Sequence, residues 1–181
     1  MLYAVGVIEI KSIAKGIEAC DSALKSAGVR LVSAHPSCPG KYEILLAGNL
    51  ADVQAALDRV RTGYAAYIID AVLMGRIDET VVKALLGAQE AVEKGALGIL
   101  ETYSAASAIK AADTAVKTSR VEIYDLRVSR GMGGKGVVLL TGEVSDVTAA
   151  VEAGGEYAKS QGLFASSSVV AAPHEELWQH L

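Results

Sequence analysis

Basic clusters, long apolar runs and aromatic anchors are all scarce in this chain of 181 residues. Lysine and arginine number 17 against 21 acidic residues, for a net charge of −4. With no basic run among them, nucleic acid and anionic lipid are not expected partners. No charge-free stretch of about 18 apolar residues occurs, so no membrane span is expected. The N-terminus lacks a charged segment followed by an apolar block, and no signal peptide is expected. Two cysteines in a chain of this kind read as thiols or ligands rather than as a disulfide framework. His35, His174 and His180 are scattered without metal-ligand spacing. The nucleophile motif G-x-S-x-G is missing as well, so the chain is not read as an enzyme. One Phe and one Trp leave few aromatic anchors, whereas 18 glycines suit tight turns and close backbone packing.

What the chain does have is an internal repeat. Gly6-Val7-Ile8-Glu9 returns 92 residues later as Gly98-Ile99-Leu100-Glu101, and Ser12, Ala19, Asp21 and Lys25 return as Ser104, Ala111, Asp113 and Lys117. Gly40-Lys41, Gly48 and Asp52-Val53 return 94 residues later as Gly134-Lys135, Gly142 and Asp146-Val147. The period exceeds the roughly 20–50 residues of a solenoid repeat and is that of a small domain. Two tandem copies are therefore expected, over residues 1–90 and 95–181, joined by a polar linker from Gln89 to Gly95.

Each copy reads as β-α-β-β-α-β with a short terminal helix. In the first, Tyr3 to Ile10 is a buried strand. Ser12 caps a helix whose inner stripe is Ile13, Ile17, Cys20, Leu24 and Ala27, with Gly28 as its stop. Strands follow from Val29 to Ala34 and Tyr42 to Ala47, separated by a turn over His35-Pro36-Ser37-Cys38-Pro39-Gly40. A helix opening at Asp52, a strand from Tyr67 to Leu73 and a segment from Thr80 to Leu86 complete the copy. The second copy repeats this order, with Gly131-Met132-Gly133-Gly134 at the turn, a helix from Asp146 and a strand from Leu163 to Ala171. The fold class is α+β: in each copy a four-stranded antiparallel sheet with helices on one face, ferredoxin-like or a permutation of it.

Cys20 falls on the apolar stripe where the second copy has Ala112, and reads as a small core residue. Cys38 sits at a turn tip where no core demands it, and its counterpart is Met132. It is either an incidental thiol or a soft metal ligand. One thiolate cannot hold an iron–sulfur cluster, but three would converge if this loop lay on the threefold axis of a trimer. Gly131-Met132-Gly133-Gly134-Lys135 lacks the spacing of a phosphate loop and precedes a strand, so no nucleotide site is expected. Lys25 and Lys117 lie near helix C-termini, where they pair with the helix dipole or make lateral contacts between oligomers.

Both copies resemble the bacterial microcompartment (BMC) shell domain. The resemblance is carried by Ala4-Val5-Gly6-Val7-Ile8-Glu9 with Ser12, by Ala19-Cys20-Asp21-Ser22-Ala23-Leu24-Lys25, by Gly40-Lys41 through Val53, by their second-copy partners, and by Pro173-His174-Glu175. It spans nearly the whole chain. It implies a homotrimer that mimics the family's hexamers as a flat tile in the microcompartment shell, with other shell proteins at the tile edges. Around Cys38 the chain is most similar to the propanediol-utilisation branch, which implies a [4Fe–4S] cluster held by three Cys38 thiolates in a central pore. Ser37, Pro39 and Gly40 would frame that pore on one loop, and Met132, Gly133 and Gly134 on the other. Lys25 and Lys117 fall at tile-edge positions. Such a cluster implies electron transfer across the shell and a luminal or cytosolic redox enzyme as partner. The alternatives are a shell protein with a plain metabolite pore, or a cytosolic small-ligand-binding protein.

Overall fold

Ser12 starts the first helix as its N-cap, with its hydroxyl accepting the Lys15 amide at 3.4 Å. The computed structural model describes residues 4–88, 92–128 and 131–181. Tyr3 and the start of the linker at Gln89 lie outside the described residues. The chain divides into two compact units. The first comprises residues 4–77 together with 104–106 and 131–134, and the second residues 78–103, 107–128 and 135–181.

The strands of the first unit are β1 (Ala4–Ile10), β2 (Arg30–Ser37), β3 (Lys41–Gly48) and β4 (Ile68–Met74), with helices α1 (Ile13–Ser26) and α2 (Leu50–Tyr64). The sheet is antiparallel in the order β2-β3-β1-β4. Alternation along the strands turns Ile8, Ile10, Ile44 and Leu46 toward the helices. There they meet Ala19, Cys20 and Ala23 of α1 and Val53, Leu57 and Val60 of α2. Each large apolar side chain buried in this way contributes about 1.5–3 kcal/mol.

Several elements differ from their sequence reading, each for a local reason. Strand β2 runs through His35, Pro36 and Ser37, which pair with Glu43, Tyr42 and Lys41, so the turn shrinks to Cys38-Pro39-Gly40. An edge strand loses no ladder bond to a proline. Helix α2 starts at Leu50, because Asn49 caps it by accepting the Asp52 amide at 2.8 Å. The inner face of α1 is Gly16, Ala19, Cys20 and Ala23, whereas Ile13 and Ile17 are exposed. Small residues let this helix lie close to the sheet, which turns the stripe outward. Ala27 ends α1 in an extended conformation, so Gly28 is not a left-handed stop.

The second repeat forms β5 (Ala96–Thr102), β6 (Val121–Val128), β7 (Gly136–Gly142) and β8 (Phe164–Val170), with α4 (Ala105–Thr118) and α5 (Val144–Ser160). Its strand order, β6-β7-β5-β8, is that of the first sheet. Helix α5 begins two residues before Asp146, after Glu143. The segment α3 (Glu79–Leu85) belongs to the second unit and packs on β6. Its cap residue Asp78 donates its amide to Asp113 at 2.9 Å. On the sheet face away from α5, Trp178 of a terminal 3-10 helix (Glu175–Gln179) packs with Leu97 and Leu139. The Tyr124 hydroxyl fixes it by donating to the Trp178 carbonyl at 3.0 Å. No helix among the described residues is long and apolar enough to cross a membrane.

Candidate functional site

The β2–β3 turn presents Cys38 to solvent, flanked by exposed Pro39 and Gly40, while Ser37 is half-buried at the strand end. The Cys38–Pro39 peptide bond is cis, and Gly40 has φ of +86°. The glycine loop ending at Gly134 lies in the same unit as this turn. Gly134 has φ of +87°, a conformation that favours glycine, and an added Cβ would stand 2.8 Å from the Cys38 carbonyl oxygen. The two loops read as pore-framing thus meet through their main chains. Met132 is half-buried, and Gly133 is exposed.

An ion pair unread in the sequence holds these loops. Lys41 Nζ lies 3.0 Å from Glu9 Oε2 and donates to the Gly134 carbonyl at 3.0 Å. The other Glu9 oxygen accepts the Ala106 amide at 2.8 Å, in the first turn of α4. Glu9 is fully buried. Burial pushes its carboxyl above the ordinary range, a rise moderated by the Ala106 amide and then by Lys41. The signal was available: a glutamate in an apolar strand and a lysine after a glycine, each repeated in the second copy. There, Lys135 Nζ lies 2.8 Å from Glu101 Oε2, and the pair is partly exposed. The Ser104 hydroxyl donates to Asp70 at 2.5 Å, also in the first unit.

Among the described residues, the buried side-chain oxygens lacking a hydrogen-bond partner are Ser37 Oγ and Glu43 Oε1. No group of three His, Cys, Asp or Glu residues is placed to hold a metal within one chain, again among the described residues. Cys20 is buried in the first core, and its thiol is pushed up by burial and then by Asp21. Lys25 and Lys117 stand in the last turns of α1 and α4. Lys25 pairs with exposed Asp21 at 2.6 Å, and Lys117 with buried Asp113 at 2.5 Å.

Comparison with known proteins gives a consistent picture. The family model described as BMC domain matches twice, at residues 4–77 and 96–173. The bacterial microcompartment shell protein PduT of Citrobacter freundii is 38% identical over 181 residues, covering 100% of this chain and 98% of that protein. The carboxysome assembly protein CcmO of Synechococcus elongatus is 28% identical over 98% of this chain and 68% of its own length. Among solved structures, a microcompartments protein from Desulfitobacterium hafniense superposes with a TM-score of 0.85 at 40% identity, covering 99% of both chains. A fused permuted hexameric shell protein of the RMM microcompartment, 24% identical over 87% of this chain and 82% of its own, shares the fold with a TM-score of 0.65.

Proposed function

The chain belongs to the BMC domain family and is a structural protein of the bacterial microcompartment shell rather than an enzyme, and from that premise we propose that it forms a homotrimeric, pseudohexameric tile whose central pore carries a [4Fe–4S] cluster. The cytosolic small-ligand-binding alternative gives way to the family match over both repeats.

The observation that carries the proposal is the position of Cys38. It is exposed, it occupies the tip of one of the two loops that meet, and the other repeat has Met132 in its place. One thiolate per chain fits a site shared by three chains and leaves one iron open to water or a small exogenous ligand. Ser37, next to Cys38, has a buried hydroxyl without a protein hydrogen-bond partner. Bound there, the cluster would supply a one-electron centre between the two faces of the shell. The chain's own contribution is a turn held by main-chain contact with Gly134 and by the Lys41 bridge. Ser37, Pro39, Gly40, Met132, Gly133 and Gly134 frame the pore in this reading. Lys25 and Lys117 meet other shell proteins at the tile edges, and a luminal or cytosolic redox enzyme exchanges electrons with the cluster.

The test is anaerobic reconstitution with iron and sulfide, followed by absorbance and EPR spectra of the unaltered chain and of Cys38→Ser, with the oligomeric mass measured alongside. A brown trimer whose iron–sulfur signal is lost in Cys38→Ser is expected. A trimer that stays colourless would leave a shell protein with a plain metabolite pore.

A further inference from the structure

The two buried side-chain oxygens that lack a hydrogen-bond partner among the described residues, Ser37 Oγ and Glu43 Oε1, both belong to the β2–β3 hairpin. They also share a face. In the ladder Glu43 stands opposite His35 and Ser37 opposite Lys41, so these four side chains leave the sheet on one side, away from Ile44 and Leu46. Ser37 and Glu43 are diagonal neighbours there. Such neighbours stand about 7–8 Å apart, within reach of one small occupant held between them.

The register continues across the sheet. Glu43 stands opposite Glu9 on β1, and Glu9 opposite Asp70 on β4. Three buried carboxylates thus form one row, with half-buried His35 at its end. Lys41 reaches Glu9 Oε2 and the Gly134 carbonyl, Ser104 donates to Asp70, and Glu43 Oε1 is left over, on a residue only 7% exposed. Like charges placed directly opposite destabilise a ladder. Burial is the main cause of the raised Glu9 carboxyl, and the Glu43 charge adds to it. The fold itself does not require this row. The corresponding positions of the second sheet hold Arg127, Val137, Glu101 and Ser166, one acid and one fixed cation.

We propose that the first sheet binds one small monovalent cation, sodium or potassium, between Glu43 Oε1 and Ser37 Oγ. Both atoms are hard oxygens, the ligand type that hard cations take. The ion brings the positive charge that the row is short of. A water molecule could bond the same two oxygens, but it would leave the buried charge of Glu43 uncompensated. Two side-chain ligands leave the rest of the shell to water and main-chain carbonyls. A tightly held divalent or transition metal would draw three or more such side chains together, and no such group stands among the described residues. The site lies on the β2–β3 hairpin and needs neither the trimer nor the cluster.

Denaturant unfolding of the full, iron-free chain tests this in sodium, potassium and choline chloride. Equal ionic strength keeps screening the same, and about pH 8 lies above the ordinary histidine value. Sodium or potassium is expected to raise the folding equilibrium constant about tenfold over choline, the shift given by an ion at roughly ten times its dissociation constant. Glu43→Gln keeps the shape, removes the charge and should abolish the difference. Ser37→Ala should reduce it, and it serves where Glu43→Gln fails to fold. Glu156→Gln, in an exposed pair with Lys159, should leave the difference intact. Equal constants in the three salts would overturn the site and leave water or a proton at Glu43. A difference untouched by both Glu43→Gln and Ser37→Ala would overturn it too, because the ion would then bind elsewhere.

Discussion

Gly16 of α1 lies so close to Tyr42 of β3 that a Cβ on the glycine would collide with the tyrosine Cβ. In the second repeat the residue sizes at the corresponding positions are reversed. Ala108 stands at the helix position and Gly136 at the strand position. The repeats thus differ in which of the two positions carries glycine.

Gly16→Ala is therefore expected to destabilise the first unit by about 1–3 kcal/mol, the usual cost of overpacking. In a Tyr42→Gly background the same substitution should cost far less, because the colliding side chain is gone. A double-mutant cycle by chemical denaturation measures the coupling. Additive effects would show that the two side chains do not compete for this space.

The two lysine–glutamate pairs should respond differently to the same substitution. Lys41→Met leaves Glu9 buried without its cation and is expected to cost about 3–5 kcal/mol. Lys135→Met removes half of an open pair, and no measurable loss is expected in the dissociated chain. Denaturant midpoints of the two variants at low protein concentration compare them directly.

The raised Glu9 carboxyl has a pH signature with a definite sign. Its folded value lies above the ordinary 4.5, so between the two values the folded chain holds a proton that the unfolded chain has lost. Its contribution to stability is thus greatest below 4.5 and falls as pH rises toward the folded value. Glu9→Gln should flatten that part of the profile. A pH series of thermal melts reads the difference, and identical slopes in the two proteins would assign the dependence to other groups.

The two thiols should separate cleanly by reactivity. Cys38 is exposed, and Cys20 is buried with its thiol pushed up by desolvation. In the native, dissociated chain, a thiol reagent should label one cysteine rapidly, and Cys38→Ser should abolish that phase. Cys20 should react only after denaturant is added. Rapid labelling of both would mean that α1 opens readily from its sheet.

The sequence alone determined a good deal. A duplication is a covariance of the chain with itself, and it needs no coordinates to be seen. Apolar, β-branched runs bounded by turn residues marked the strands of both copies, and Ser12 fixed the start of α1, because these signals are local. The absence of a Cys38 counterpart was equally plain, and it marked the turn before any contact was known.

Other features belonged to the tertiary structure. The Ile13–Ile17 stripe predicts an inward face, but the depth at which α1 sits is set by Gly16 against Tyr42, a contact between residues far apart in the chain. Glu9 and Lys41 each recur in the second copy, but that Lys41 bridges both Glu9 and Gly134 joins residues far apart in the chain and is decided by the fold. Above all, equivalent residues became unequal: Glu9 and Lys41 are covered, and Glu101 and Lys135 are open. Sequence similarity reports the fold shared by two copies, whereas burial depends on what lies outside each copy.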